Sequence, residues 1–180
     1  LITNKNIIEK ARNMHIHDDI DTAVIKYNLN FVIDYYELDL ATSKIIKKFI
    51  DSENSFCNKY FLSIEEIYKI SKLGHIIAWH TNYHIPMSKL SNKELEIDLE
   101  LGIKFLDKIN TNENKHICYP YGRLDALPLQ NLELILSSKF KYGWTLDKVN
   151  NQFINKKYNK LLLQRITSNE LFKNNSKLCL

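Results

Sequence analysis

Apolar residues recur at helical spacing through the first third of the chain, then give way to short runs that suit strands. Ile7, Ile8, Ala11 and Met14 form one stripe, and Ile20, Val24, Tyr27, Phe31 and Tyr35 a second. Ala41, Ile45, Ile46, Phe49 and Ile50 form a third. No Gly or Pro interrupts residues 1–60, so this part is expected to be a helical layer, an insertion or subdomain of its own. Tyr35, Tyr36, Tyr60, Phe61 and Phe140 are expected to be core or helix-packing aromatics. Ser63-Ile64-Glu65-Glu66 then has the form of a capping box, and Gly74 suits the position just past the end of that helix.

Beyond Gly74 the period changes. His75–His80 is a strand candidate, followed by a loop that contains Pro86. Ser91-Asn92-Lys93-Glu94 is a second capping box and opens a helix to about Ile109, with Leu95, Leu99, Ile103 and Leu106 on one face. Asp98, Glu94 and Glu100 on that helix are expected to be solvated. His116–Tyr119 is a second strand candidate and Leu129–Ser138 a helix. Tyr142–Leu146 and Leu161–Ile166 are further strand candidates. Strands alternating with helices predict an α/β fold with a parallel sheet, over residues 61–180.

In such folds the chemistry gathers in the loops at the carboxyl ends of strands. His80 and His84 follow one strand, Tyr121 and Arg123 the next, and Trp144 and Asp147 flank the end of the third. Two His four apart can hold one divalent ion if the residues between them make a helical turn. A catalytic zinc site typically adds a third protein ligand and an open position. The loop itself contains no Asp or Glu. His75 and His116 begin their strands, at the far end of the sheet, and are expected to be structural. Asp125 and Asp147 are candidates for supporting the loops.

Composition narrows the field little. The 180 residues carry 25 Lys+Arg against 21 Asp+Glu, a net charge of +4 with the basic residues scattered, which does not favour nucleic-acid binding. No apolar run is long enough to span a bilayer. Cys57, Cys118 and Cys179 are few and far apart, with no CxxC pair, which suits a reducing compartment. With no signal-peptide pattern at the start, the cytoplasm is slightly favoured. Oligomeric state is not legible.

Gly74-His75-Ile76-Ile77-Ala78-Trp79-His80-Thr81-Asn82-Tyr83-His84, followed by Pro120-Tyr121-Gly122, resembles the polysaccharide deacetylase family (NodB-homology, carbohydrate esterase family 4). The likeness runs over roughly residues 60–166. It implies a partial, distorted (β/α) barrel of the NodB-homology type, with an N-terminal helical segment. It also implies a metal-dependent hydrolase that removes N-acetyl groups from amino sugars of a polysaccharide or surface glycan. By this resemblance His80 and His84 are ligands of a divalent metal, zinc in the first instance, and Thr81 braces their loop. Tyr121 gives its backbone N–H to an oxyanion hole, Pro120, Tyr121 and Gly122 form the turn that meets substrate, and Trp144 walls the carbohydrate groove. Arg165 lies on the strand that matches the family's acid-bearing L-x-x-H segment, and by this resemblance it is a substrate-binding candidate.

Three departures accompany the likeness. Cys118 stands where the family's third motif has Arg. No L-x-x-H near the C-terminus supplies an acid. The family's first motif, two adjacent Asp at a strand end, provides the base and the third ligand, and Asp18-Asp19 is the only such pair here. Asp19 is therefore the one candidate for base or ligand, although the surrounding pattern is helical. The expectation that follows is a domain beginning upstream of Leu1. The alternative is a non-catalytic, carbohydrate-binding remnant of the same fold.

Overall fold

A computed structural model of the chain describes residues 2–109, 114–147 and 156–166. It divides into two compact units, Leu1–Leu62 and Ser63–Leu180.

In the first unit, α1 (Lys5–Met14) and α2 (Ile20–Tyr27) pack around Ala11, Ala23 and Val24, with Ile7, Ile8, Ile20 and Tyr27 at the rim. Small residues at the contact let the two helices approach closely. Asn28 is fully buried and spends its amide on backbone: it donates to Ile2 O at 3.0 Å and Val24 O at 2.9 Å, and accepts from Ile2 N at 2.9 Å. The expected stripe from Ile20 to Tyr35 is not one helix. The chain widens into a π turn at Asn28–Val32, and Asp34 then caps α3 (Tyr35–Phe49) by accepting from Tyr36 N and Glu37 N.

The third stripe is helical but not core. Ile45, Ile46 and Phe49 are 55%, 47% and 83% exposed, and neither α3 nor α4 (Glu53–Tyr60) has a buried residue. Tyr36, Tyr60 and Phe61, expected in packing, are exposed as well. Periodicity assigns residues to one face of a helix; it does not supply the surface that covers that face.

In the second unit both capping boxes form. Ser63 and Glu66 bond reciprocally at the start of α5 (Ile64–Lys72), and Ser91 and Glu94 do so at the start of α6 (Asn92–Ile109). Gly74, at φ 92°, ends α5 in a Schellman motif: its N–H reaches Ser71 O at 3.0 Å and His75 N–H reaches Ile70 O at 3.4 Å. His75 is thus committed to the helix cap. The first strand is shorter than expected, with β1 limited to Ala78–Trp79.

β2 (Lys115–Cys118), α7 (Leu129–Ser137), β3 (Phe140–Thr145) and β4 (Leu163–Gln164) complete a parallel sheet in the order β1-β2-β3-β4. Its register sets Ala78 opposite His116, Cys118 opposite Trp144, and Trp144 opposite Leu163. Ile117, Tyr119 and Phe140 lie in one core with Leu95, Leu99 and Leu106 of α6 and Leu132 and Ile135 of α7. A bulge pairs Lys115 with Phe140 but His116 with Tyr142, so the extra residue Lys141 switches side-chain parity along β3. Phe140 therefore joins the helix-covered face, while Tyr142 and Trp144 share the other face with His116 and Cys118. Lys115, also on the covered side, reaches Asp107 of α6 at 2.6 Å.

Gly143 sits where β3 crosses Tyr119. A Cβ there would lie 2.0 Å from the Tyr119 hydroxyl and 2.5 Å from Leu161 O, two atoms that already share a hydrogen bond of 2.7 Å. Gly143→Ala is expected to destabilise the protein by about 1–3 kcal/mol, the range of overpacked cores. A lower midpoint in urea unfolding is the readout; an unchanged midpoint would contradict this packing.

Candidate functional site

The carboxyl ends of parallel strands open on one edge of the sheet. At that edge β1 passes to His80–His84, β2 to Tyr119–Arg123, β3 to Leu146 and Asp147, and β4 to Arg165.

His80 lies with Nδ1 2.5 Å from the carbonyl oxygen of Cys118. A carbonyl can only accept, so Nδ1 carries the proton and the lone pair of Nε2 is left for a ligand. The rings of His80 and His84 are 4.8 Å apart and nearly perpendicular. The four-residue spacing does not arise from a helical turn, as the motif had suggested. Thr81 at φ 62° and His84 at φ 55° take the left-handed conformation, and Thr81 Oγ1 accepts from His84 N at 3.1 Å. Burial lowers the pKa of His84, the cost of placing two protonated imidazoles side by side with His80 lowers it further, and so does the charge of Arg165. At neutral pH His84 is an uncharged imidazole, the form that binds metal.

Next to His84, with ring centroids 4.9 Å apart, is Tyr121. Gly122 N–H donates to Tyr119 O at 3.1 Å, closing a turn with Pro120 at its second position and Tyr121 at φ 62° in its third. Burial pushes the Tyr121 phenol up to about 12. The Gly122 carbonyl accepts from Thr145 Oγ1, from Leu146 N at 2.6 Å and from Asp147 N at 3.2 Å. Asp147 returns a bond of 2.8 Å from Leu124 N to its Oδ2. Only Gly fits at 122, because its φ is 65° and a Cβ would meet Leu146 Cγ at 2.7 Å. The loop after β2 is in this way sewn to the end of β3.

Trp144 donates its indole N–H to His116 Nδ1 at 3.0 Å, and the His116 ring stacks on both Tyr142 and Trp144. Arg165 reaches back to the Tyr119 carbonyl, with Nη2 at 3.4 Å, and its backbone N–H bonds Thr145 O at 2.8 Å. Its Nε is buried without a partner in the described structure. Burial raises the Cys118 thiol pKa, against the opposing charge of Arg165. Arg123 instead pairs with Asp125 at the surface.

Asp19 belongs to the first unit and caps α2, accepting from Asp21 N at 3.1 Å, Thr22 N at 2.9 Å and the Thr22 hydroxyl at 2.6 Å. The Thr22 bonds hold its carboxyl below the usual range. Asp18 pairs with Lys26 at 2.7 Å.

One residue of the site region departs from its expected setting. Asp98 is 7% exposed, not solvated, and accepts from Trp79 Nε1 at 2.7 Å and from Asn82 N at 2.8 Å. A signal was available. Asp98 falls between Leu95, Leu99 and Gly102 on the buried face of α6, where an unpartnered carboxylate would be costly.

A family model described as polysaccharide deacetylase matches residues 34–135, more than half of the chain. The chain belongs to the polysaccharide deacetylase family. No curated protein and no solved structure matches it. The matched segment of this deacetylase domain contains His80, His84 and the Pro120-Tyr121-Gly122 turn. It begins at Asp34, the cap of α3, and stops before Trp144 and Arg165. Membership makes this a deacetylase-type carbohydrate hydrolase domain at the level of the family. No helix among the described residues is long and apolar enough to cross a membrane.

Family membership raises the question of a metal. The two imidazoles fit one, since His80 is oriented through Nδ1 and His84 is uncharged. Among the described residues no group of three or more His, Cys, Asp or Glu is close enough to hold an ion.

Burial holds His116 below its ordinary pKa of about 6.5. The unfolded chain therefore takes up a proton before the folded one does. Stability from this group is full above about pH 6.5 and is lost as pH falls toward the folded pKa. Protonation at Nδ1 also breaks the bond from Trp144. The expected result is a lower urea midpoint at pH 5.5 than at 7.5, with a shift of the Trp144 indole N–H resonance over the same range. His116→Phe should abolish the resonance shift; an indole signal that titrates as before would contradict the pairing.

Proposed function

We propose that the chain is a metal-dependent N-deacetylase that acts on amino sugars of a polysaccharide or surface glycan. The observation that carries this reading is the orientation of His80 by the Cys118 carbonyl, with His84 and the Tyr121 turn beside it. His80 and His84 would hold a divalent ion, zinc in the first instance. Such an ion supplies Lewis-acid polarisation and activates water at neutral pH.

The rest falls to the chain's own groups. The Tyr121 backbone N–H is suited to the oxygen of an acyl carbon as charge develops on it, a role that favours a turn fixed in advance. The ties of Gly122 to Thr145, Leu146 and Asp147 provide that fixity. Trp144 offers an aromatic wall for a sugar ring, and Arg165 a positive charge at the sheet edge. Pro120 and Gly122 shape the floor of the turn. Asp19 is a weak candidate for the base, because its carboxylate already accepts three bonds as a helix cap. That same observation favours a second reading, a fold that binds glycans without turnover.

Zinc titration of the metal-free protein should reveal one site, lost in His80→Ala and in His84→Ala. Acetate release from N-acetylglucosamine oligomers should fall by about 100-fold or more in either variant, since even outer-shell losses at metal sites cost 10–100-fold. An unaltered zinc stoichiometry would overturn the ligand assignment. Oligomer binding without acetate release, with zinc present, would select the second reading.

A further inference from the structure

We infer that Asp98 is the positioning residue of the histidine loop, holding His80 and His84 in ligating geometry from α6 without touching a ligand. This rests on the reading of His80 and His84 as metal ligands.

The loop cannot hold its shape by local bonding alone. Two of its five residues, Thr81 and His84, are non-glycine residues at positive φ, which L-amino acids adopt only when surrounding contacts impose it. The Thr81 hydroxyl ties His84 N, and the Cys118 carbonyl ties His80. Between them Asn82 N–H points at Asp98 Oδ2, 2.8 Å away. The other oxygen, Oδ1, takes the indole N–H of Trp79, the residue immediately before His80, at 2.7 Å. One carboxylate thereby grips the chain on both sides of His80-Thr81.

The grip is built into α6. Trp79 lies flat against Gly102, where a Cβ would come 2.6 Å from its ring, and its centroid is 5.9 Å from that of Phe105. These contacts pack the indole against α6 beside Asp98. Asp98 itself is 7% exposed, and the capping box at Ser91 and Glu94 fixes where the helix starts. Both oxygens of Asp98 face donors, so a carboxylate suits the position and an amide does not. Asn would present its NH2 group to one of the two N–H groups.

The test compares Asp98→Asn, Asp98→Glu, Trp79→Phe and Leu106→Ala with the unmodified full chain. Zinc affinity and amide hydrogen exchange at Asn82 are read on each. Asp98→Asn should weaken zinc binding by about 10–100-fold, the range for outer-shell partners, with stoichiometry kept at one. Asn82 should lose exchange protection in that variant while the α6 amides keep theirs. Asp98→Glu, which restores both acceptors on a longer stem, should recover most of the affinity. Trp79→Phe, which keeps the Asn82 bond, should show a smaller loss than Asp98→Asn. Leu106→Ala lowers stability from the same helix and should leave zinc affinity unchanged; a loss there equal to that of Asp98→Asn would reduce Asp98 to a general structural role. Unchanged zinc affinity and unchanged Asn82 protection in Asp98→Asn would overturn the inference. If the unmodified protein binds no zinc, the metal reading fails by itself. In that case Asn82 protection, with the backbone resonances of Thr81 and His84, still decides whether Asp98 shapes the loop.

Discussion

The backbone at the carboxyl end of β2 is the constraint on which the rest of the site depends. A strand that ends at an open sheet edge leaves carbonyls without ladder partners, and here those of Cys118, Tyr119 and Gly122 have specific ones. Cys118 O takes the imidazole of His80, Tyr119 O takes the turn N–H of Gly122 and the guanidinium of Arg165, and Gly122 O takes three donors from the end of β3. The segments that follow β1, β3 and β4 are gathered onto three carbonyls at a single strand exit. Three non-glycine residues at positive φ, Thr81, His84 and Tyr121, all lie at this edge. Each is strained by about 1–3 kcal/mol, and backbone and side-chain bonds of about 0.5–1.5 kcal/mol apiece offset that strain. Strain held by surrounding bonds is the arrangement expected of a preformed site.

What the sequence disclosed about the fold was local in origin. Capping boxes, the glycine after α5 and the Pro-Tyr-Gly turn are each satisfied within a few residues, so their chemistry can be read from neighbours. The alternation of strand and helix identified a parallel sheet because crossover helices impose it. Boundaries were less legible where a residue had two competing uses. His75 looked like the start of a strand, yet its N–H closes the Schellman motif of α5. Phe140 was expected in the core and is there, but only because a bulge at Lys141 reverses the parity of β3. A pattern of period two carries no mark of a one-residue insertion until the partner strand is known.

The site was legible as a set of residue types and not as a geometry. His80 and His84 were identifiable from spacing and position, but the helical turn that would bring such a pair together is absent, and Thr81 and His84 stand at positive φ instead. Asp98 was misjudged because its partners are 16 and 19 residues away and lie on a different element. The apolar stripe of α3 shows the same limit from the opposite side. Its periodicity is real, and the residues are exposed, because covering a face is a tertiary event that no window of sequence contains. Asp19 is the converse case, an acid whose neighbours Asp21 and Thr22 account for its bonds entirely within one helical turn.

A left-handed loop is, physically, a more demanding support for two ligands than a helix would be. In a helix, residues four apart share a face by virtue of the backbone period alone, and each ligand is held by the same ladder. In this loop no ladder exists, so each backbone donor needs its own acceptor: Thr81 Oγ1 for His84, Asp98 for Asn82. The arrangement of the two histidines is accordingly distributed over β1, α6 and β2. That distribution makes the side chains around the histidines as informative as the histidines themselves. A polysaccharide deacetylase domain that kept H-x-x-x-H but lost the acceptors on α6 and β2 would keep the motif and lose the arrangement.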